Sequence, residues 1–65
     1  MQGIVKTVHD RGYGFIVRDD GAEWFYHCKD LRGLSFDASL VGVRVQFDIR
    51  QTPRGHVATN VSAAE

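Results

Sequence analysis

An internal disulfide is excluded at the outset, because the 65 residues hold one cysteine, Cys28. A lone thiol suits a reducing compartment, and with no second cysteine near it makes no metal motif. The three histidines, His9, His27 and His56, fall at spacings that match no zinc pattern. Net charge is lacking as well. Eight basic residues balance eight acidic ones, so the whole-chain signal of a polyanion binder is missing, although a local basic patch stays possible within a neutral total. No apolar stretch approaches the ~20 residues of a membrane helix. The start MQGIVKTVHD has no apolar core of a signal peptide, which makes a cytoplasmic location the default expectation. A nucleophile–base pair, a metal set and a phosphate loop are all missing, so neither catalysis nor a cofactor is expected. No window has a convincing 3.6-residue period, and no repeat is found.

What is present reads as strands. Val41, Val43, Val45, Phe47 and Ile49 alternate with polar or small residues, the period-two mark of a half-buried strand. Thr52-Pro53-Arg54-Gly55 breaks it, and a shorter β-like run covers about residues 56–62. Upstream, Ile4 to Val8 is rich in β-branched residues, Tyr13 to Arg18 forms a second run and Glu23 to Cys28 a third. His9-Asp10-Arg11-Gly12 reads as a turn and Asp19-Asp20-Gly21 as a hairpin signal. Residues 29–40 carry no sustained pattern and are expected to form a loop with at most one helical turn. Five short strands in one domain over residues 1–65 cannot make a two-sheet sandwich with much core. A sheet closed on itself removes its own edges, so an all-β five-stranded barrel fits best.

The stretch RGYGFIV, residues 11–17, places aromatic rings between glycines. Period two puts Tyr13 and Phe15 on one face of its strand and Ile16 on the other. In the next strand Phe25 and His27 share a face, with Trp24 and Tyr26 opposite. Pairing the two strands gives one face with Tyr13, Phe15, Phe25 and His27, and another with Ile16, Trp24 and Tyr26. A barrel this small has one interior and cannot bury both sets. Either the outer rings merely stabilise the sheet as cross-strand pairs, or they form a binding surface. The acidic residues Asp19, Asp20 and Glu23 cluster, with Lys6, Arg11 and Lys29 set apart from them. Exposed rings flanked by cations suit unpaired bases, which stack while their phosphates meet the charge.

At this point the sequence resembles a known family. GYGFI (Gly12 to Ile16) after Arg11 is similar to the first ribonucleoprotein motif of cold-shock domains, and WFYHC (Trp24 to Cys28) to the second. Gly3 with Val5-Lys6 resembles the family's opening, Phe36 stands where a loop phenylalanine is expected, and RGHVATNV (Arg54 to Val61) resembles its close. The likeness runs from about residue 2 to residue 62. It implies an antiparallel OB-fold-type barrel that binds single-stranded RNA and DNA with weak sequence preference, a monomer without cofactor, acting as an RNA chaperone. Carried over, it assigns Tyr13, Phe15, Phe25, His27 and Phe36 as stacking residues and Lys6 and Arg11 as phosphate contacts, with Lys29 and Arg54 as further candidates.

Several positions depart from the family pattern. Thr7 stands where a tryptophan is usual, and the connection from there to Arg11 is about one residue shorter. His9 is the candidate to replace the lost ring. Cys28 stands where a second ring is usual, and His56 replaces a proline. Trp24 and Tyr26 occupy places of inward valines and are expected to fill the barrel, with Gly14 and Ala58 supplying room. At about 1–3 kcal/mol per stacked base, two missing platforms imply weaker binding than is typical of the family. A protein-interaction barrel using the same aromatic face is the alternative reading.

Overall fold

The computed structural model describes residues 1–53 and 55–64. Five strands, β1 (Gln2–His9), β2 (Tyr13–Val17), β3 (Glu23–His27), β4 (Arg44–Thr52) and β5 (Gly55–Ala63), close into a barrel in the order β1-β2-β3-β5-β4. One junction departs from the antiparallel pattern. β3 and β5 run parallel where Phe25 meets Val57 and Tyr26 meets Ala58, because the long connection after β3 carries the chain to β4 before β5 returns to close the sheet.

The alternation of Val41 to Ile49 predicts a strand beginning at Val41, and this is corrected. The strand begins at Arg44. The preceding residues turn, with Gly42 at φ 89° and Val41 half exposed at 50%. Of the five apolar residues in that alternation, only Val45 and Phe47 are buried. Ile49 keeps the parity of Val45 and Phe47 yet is 37% exposed, and a bulge lies in the partner strand β5. Register shifts between Gln46 and Asp48, where Asn60 on β5 adopts φ 51° and donates through its amide to Asp48 Oδ2 at 3.3 Å. Asparagine is one of the few side chains that tolerate that left-handed region. Thr52 still pairs with Gly55, so the break lies between them, and Arg54 there lies outside the described residues. The loop of residues 29–40 contains two short 3₁₀ turns rather than one, Cys28–Asp30 and Ala38–Leu40. The second seats Leu40 in the barrel, 2% exposed.

The core comprises Val5, Ile16, Tyr26, Leu40, Val45, Phe47, Ala58 and Val61. Tyr26 is completely buried, as expected, and the room comes from the two small neighbours named in the sequence. Ala58 faces it across the β3–β5 pair. A Cβ on Gly14 would overlap the Thr7 carbonyl and stand 2.6 Å from the Tyr26 hydroxyl. The hydroxyl uses the vacated space to donate to the Thr7 carbonyl at 3.0 Å, which satisfies a polar atom that burial would otherwise penalise. Burial raises the Tyr26 pKa above the usual tyrosine value. Trp24 fills the barrel only partly. It is half-buried against Phe47, ring centroids 6.3 Å apart, and His56 packs against it edge-on at 5.5 Å. Its indole Nε1 is buried without a hydrogen-bond partner.

A second bulge shapes the outer surface. Val5 pairs with Ile16 and Thr7 with Phe15, leaving Lys6 as the extra residue in β1. A bulge shifts the side-chain phase by one. Gly3 and Val5 point inward before it and Val8 after it, so Thr7 and His9 emerge on the face that carries Phe15 and Tyr13.

Candidate nucleic-acid interface

The Arg18–Ala22 hairpin closes with two backbone hydrogen bonds of 2.9 Å and sets the register on which the face depends. Tyr13 pairs with His27, Phe15 with Phe25, Gly14 with Tyr26 and Ile16 with Trp24. The two faces expected from alternation are therefore the two faces observed. Ile16 and Tyr26 are fully buried, whereas Tyr13, Phe15, Phe25 and His27 keep part of their surface open.

The outer rings form a row. His9 lies flat on Tyr13, centroids 4.5 Å apart and planes 10° from parallel. Tyr13 stacks on Phe25 at 5.4 Å, and Phe25 meets Phe15 edge-on at 6.0 Å. The Lys6 bulge is what delivers His9 to this row, so the ring missing at Thr7 is partly replaced from two residues further on. Thr7 has a different task. Its Oγ1 accepts from the Phe15 amide at 3.1 Å and ties β1 to the centre of the row.

His9 in the row and His27 beside it are fixed by the same device. Nδ1 of His9 accepts from the Arg11 amide at 3.2 Å, and Nδ1 of His27 accepts from the Lys29 amide at 3.1 Å. With Nδ1 accepting, the ring proton of each sits on Nε2. Asp10 Oδ1 also lies 3.2 Å from His9 Nδ1, a contact that becomes an ion pair only when the ring is protonated. His27 caps the turn that follows β3, and Asp30 Oδ2 accepts in return from the His27 amide at 3.3 Å. The sequence reading missed this role of Asp30. The signal was available in H-C-K-D, a polar residue followed three places later by an acid, the spacing of a capping box.

Cys28 requires a correction. Strand alternation sends His27 and Cys28 to opposite faces, but β3 ends at His27 and Cys28 opens the 3₁₀ turn. The Cys28 Sγ consequently lies 3.7 Å from His27 Nδ1. Gly12 occupies the tight corner beside it, at φ 94°, and its carbonyl accepts from the Cys28 amide at 2.8 Å.

The cations are less free than charge counting implies. Lys6 does not stand apart from the acidic cluster, since its Nζ lies 3.5 Å from Glu23 Oε1. The bulge brings Lys6 to the start of β3, where Glu23 pairs with Val17. Arg11 and Lys29 are exposed. Arg32 turns its guanidinium back to the Lys29 and Leu31 carbonyls at 2.8 and 3.1 Å. Phe36 stands off the row, half-buried with its ring edge-on to Tyr26 at 6.3 Å. Among the described residues no group of three or more His, Cys, Asp or Glu side chains is placed to hold a metal ion. No helix of the described chain is long and apolar enough to cross a membrane.

A closed five-stranded barrel with this strand order, carrying a row of rings across β2 and β3, is an OB-type barrel. Comparison with known proteins narrows the class. The family model described as the 'Cold-shock' DNA-binding domain matches residues 1–64. Cold shock protein CspC of Bacillus subtilis is 38% identical over 64 residues, 97% of each chain. A cold shock-like protein of Aquifex aeolicus is 40% identical over 63 residues, covering 94% of this chain and 90% of its own. Cold shock-like protein CspG of Escherichia coli is 38% identical with the same coverage. The chain belongs to the cold-shock domain family, which generally binds nucleic acid.

Proposed function

We propose that this protein binds single-stranded RNA or DNA through the row His9–Tyr13–Phe25–Phe15, and acts as a passive RNA chaperone. The observation that carries the reading is the row itself. Four rings in mutual contact lie on the outer face of β2 and its neighbours, within one domain whose single core lies on the other side. Every base has a π-face, so such a surface accepts unpaired strands with weak sequence preference. His27 adds an Nε2–H donor and a ring edge next to Tyr13, Phe36 a ring beyond the row, and Arg11, Lys6 and Lys29 the charge for phosphate. Trapping unpaired bases draws a hairpin toward its open form by mass action, and no covalent step is needed.

Binding is weaker than is usual for the family, because Thr7 and Cys28 offer no ring and Glu23 occupies Lys6. In an NMR titration with a pyrimidine hexamer, the expected result is amide shifts concentrated on β2 and β3. Phe15→Ala with Phe25→Ala abolishes those shifts and leaves the dispersed spectrum of a folded barrel. Retention of parental affinity by that double variant would remove the row from the site. Salt separates this reading from a protein-binding barrel. Three phosphate contacts predict a slope of log K against log salt of about −2, at roughly −0.7 each, whereas a flat response favours a protein partner.

A further inference from the structure

The lateral register of the sheet runs past the row of rings. Phe15 pairs with Phe25 across β2 and β3, Phe25 with Val57 across β3 and β5, and Val57 with Arg50 across β5 and β4. Residues directly opposite one another on paired strands share a face. The outer surface that carries Phe15 and Phe25 therefore continues through Val57 to Arg50. The next pair along, Tyr26 and Ala58, is completely buried and fixes the phase. At about 4.8 Å per strand, the Arg50 backbone lies about 10 Å from that of Phe25, much of which a long arginine side chain can cover.

An open cavity of about 260 Å³ adjoins this line. Phe25, Thr52, His56 and Val57 line it, so a ring of the row is one of its walls and no acid is among them. Thr52 follows Arg50 by two residues and emerges on the same side of β4. His56 is braced by Trp24, edge-on at 5.5 Å. Several other cations are already engaged. Lys6 lies 3.5 Å from Glu23, Arg18 lies 3.9 Å from Asp20, and Arg32 donates to two backbone carbonyls. Among the described residues no ion pair engages Arg50, which is exposed. Asp48, two residues back on the same face of β4, accepts instead from the Asn60 amide at 3.3 Å.

We propose that Arg50 is a phosphate-binding residue, and that a bound single strand crosses β5 to reach it, with the nucleotide beyond Phe25 seated in the cavity beside Val57. The site rests on the nucleic-acid reading above and extends the path of the strand from β2 and β3 to β4. An acidic peptide would also suit a free guanidinium, but a cavity walled by a ring of the row favours the strand that stacks on that ring.

The test is titration of hexathymidine into the parent, Arg50→Gln and Arg44→Gln at several salt concentrations, with NMR of the arginine side chains. Arg44 is an exposed cation at the other end of β4, where it pairs with Ile4, so its variant makes the same change of net charge without touching the site. Arg50→Gln is expected to bind about fivefold more weakly at about 0.1 M salt and to flatten the slope of log K against log salt by about 0.7, the share of one phosphate contact on a single strand. Arg44→Gln keeps the parental slope. In the parent, the Arg50 Nε–H resonance and the Val57 methyls shift on binding, and the Arg44 resonance does not. Both substitutions fall on the exposed side of β4, so the barrel is left intact. The proposal is overturned if Arg50→Gln keeps the parental slope, or if the two variants lose affinity equally, which would reduce Arg50 to its share of the total charge. The two readings fail differently. Amide shifts on β2 and β3 with a stationary Arg50 would keep the row, end the strand's path at β3 and leave Arg50 to an acidic peptide. A flattened slope in Arg50→Gln, with Phe15→Ala and Phe25→Ala together binding like the parent, would keep the phosphate contact and remove the row.

Discussion

Residues that carry the surface chemistry are restrained by neighbours of opposite character. Lys6 is the clearest case, since under the proposed function a phosphate would have to compete with Glu23 for its ammonium. Both partners are about half exposed, at 55% and 48%, and exposed pairs are worth only about 0–1 kcal/mol. Glu23→Gln is therefore expected to cost little stability, and to raise oligonucleotide affinity by about two- to fivefold through a freed cation and a removed repulsion. Titration of parent and variant at two salt concentrations checks it, and the variant should show the steeper salt dependence. An unchanged or weaker affinity would mean that Glu23 itself contacts the ligand or that Lys6 does not. Gly14 shows restraint of another kind. Its missing side chain is what admits the Tyr26 hydroxyl to the Thr7 carbonyl, so the glycine serves the core on one side of β2 while Tyr13 and Phe15 serve the surface on the other.

At the scale of elements, the end of β3 couples the fold to the site. His27 is both a member of the outer face and the cap of the turn after it, held in return by Asp30. Removing the reciprocal acceptor should loosen both. Asp30→Ala is expected to destabilise the barrel by about 1 kcal/mol, the usual worth of a cap, and to move the His27 ring resonances in the free protein. Urea denaturation with NMR of the imidazole protons checks both outcomes. A stability loss with stationary His27 resonances would reduce Asp30 to a purely local role. The β1 bulge is the second element with a functional consequence. One extra residue at Lys6 moves His9 onto Tyr13, leaves Val8 beside Phe36, and sets Lys6 against Glu23. Three features of the surface thus trace to one irregularity in a hydrogen-bond ladder.

For the molecule as a whole, the buried phenol makes stability depend on alkaline pH. Burial raises the Tyr26 pKa in the folded state, so the neutral form is favoured there and the unfolded chain ionises first. The contribution of Tyr26 is intact below the unfolded value of about 10 and is lost as pH rises through the raised folded value. Urea midpoints measured from pH 8 to pH 11 should fall above about pH 10. Tyr26→Phe should remove that part of the fall, at the price of a lower midpoint at neutral pH because the hydrogen bond to Thr7 is gone. An equally steep alkaline decline in the variant would assign it to other groups. Small size sharpens such effects, since a chain of about 60 residues buries only about 60% of its unfolded surface and has little stability in reserve.

How much of this was legible beforehand follows from the range of each interaction. Strict alternation in β2 and β3 is a local property, two residues at a time, and the hairpin between them is short. Their faces, the buried Tyr26, its need for Gly14 and Ala58, and a five-stranded barrel all follow from the sequence. Alternation fails wherever a bulge shifts the phase, because a bulge is fixed by the partner strand and not by the strand's own residues. For that reason the sequence separated Lys6 from Glu23 and gave no sign that Val8, Asp10 and Phe36 share a cavity, while the later start of β4 comes from the turn at Gly42. The parallel closure of β3 on β5 was equally hidden, since it joins segments about thirty residues apart through an irregular loop. The residue types proposed to bind were written in the chain. Which of them meet, which are already occupied and which are free to meet a ligand were decided only when the barrel closed.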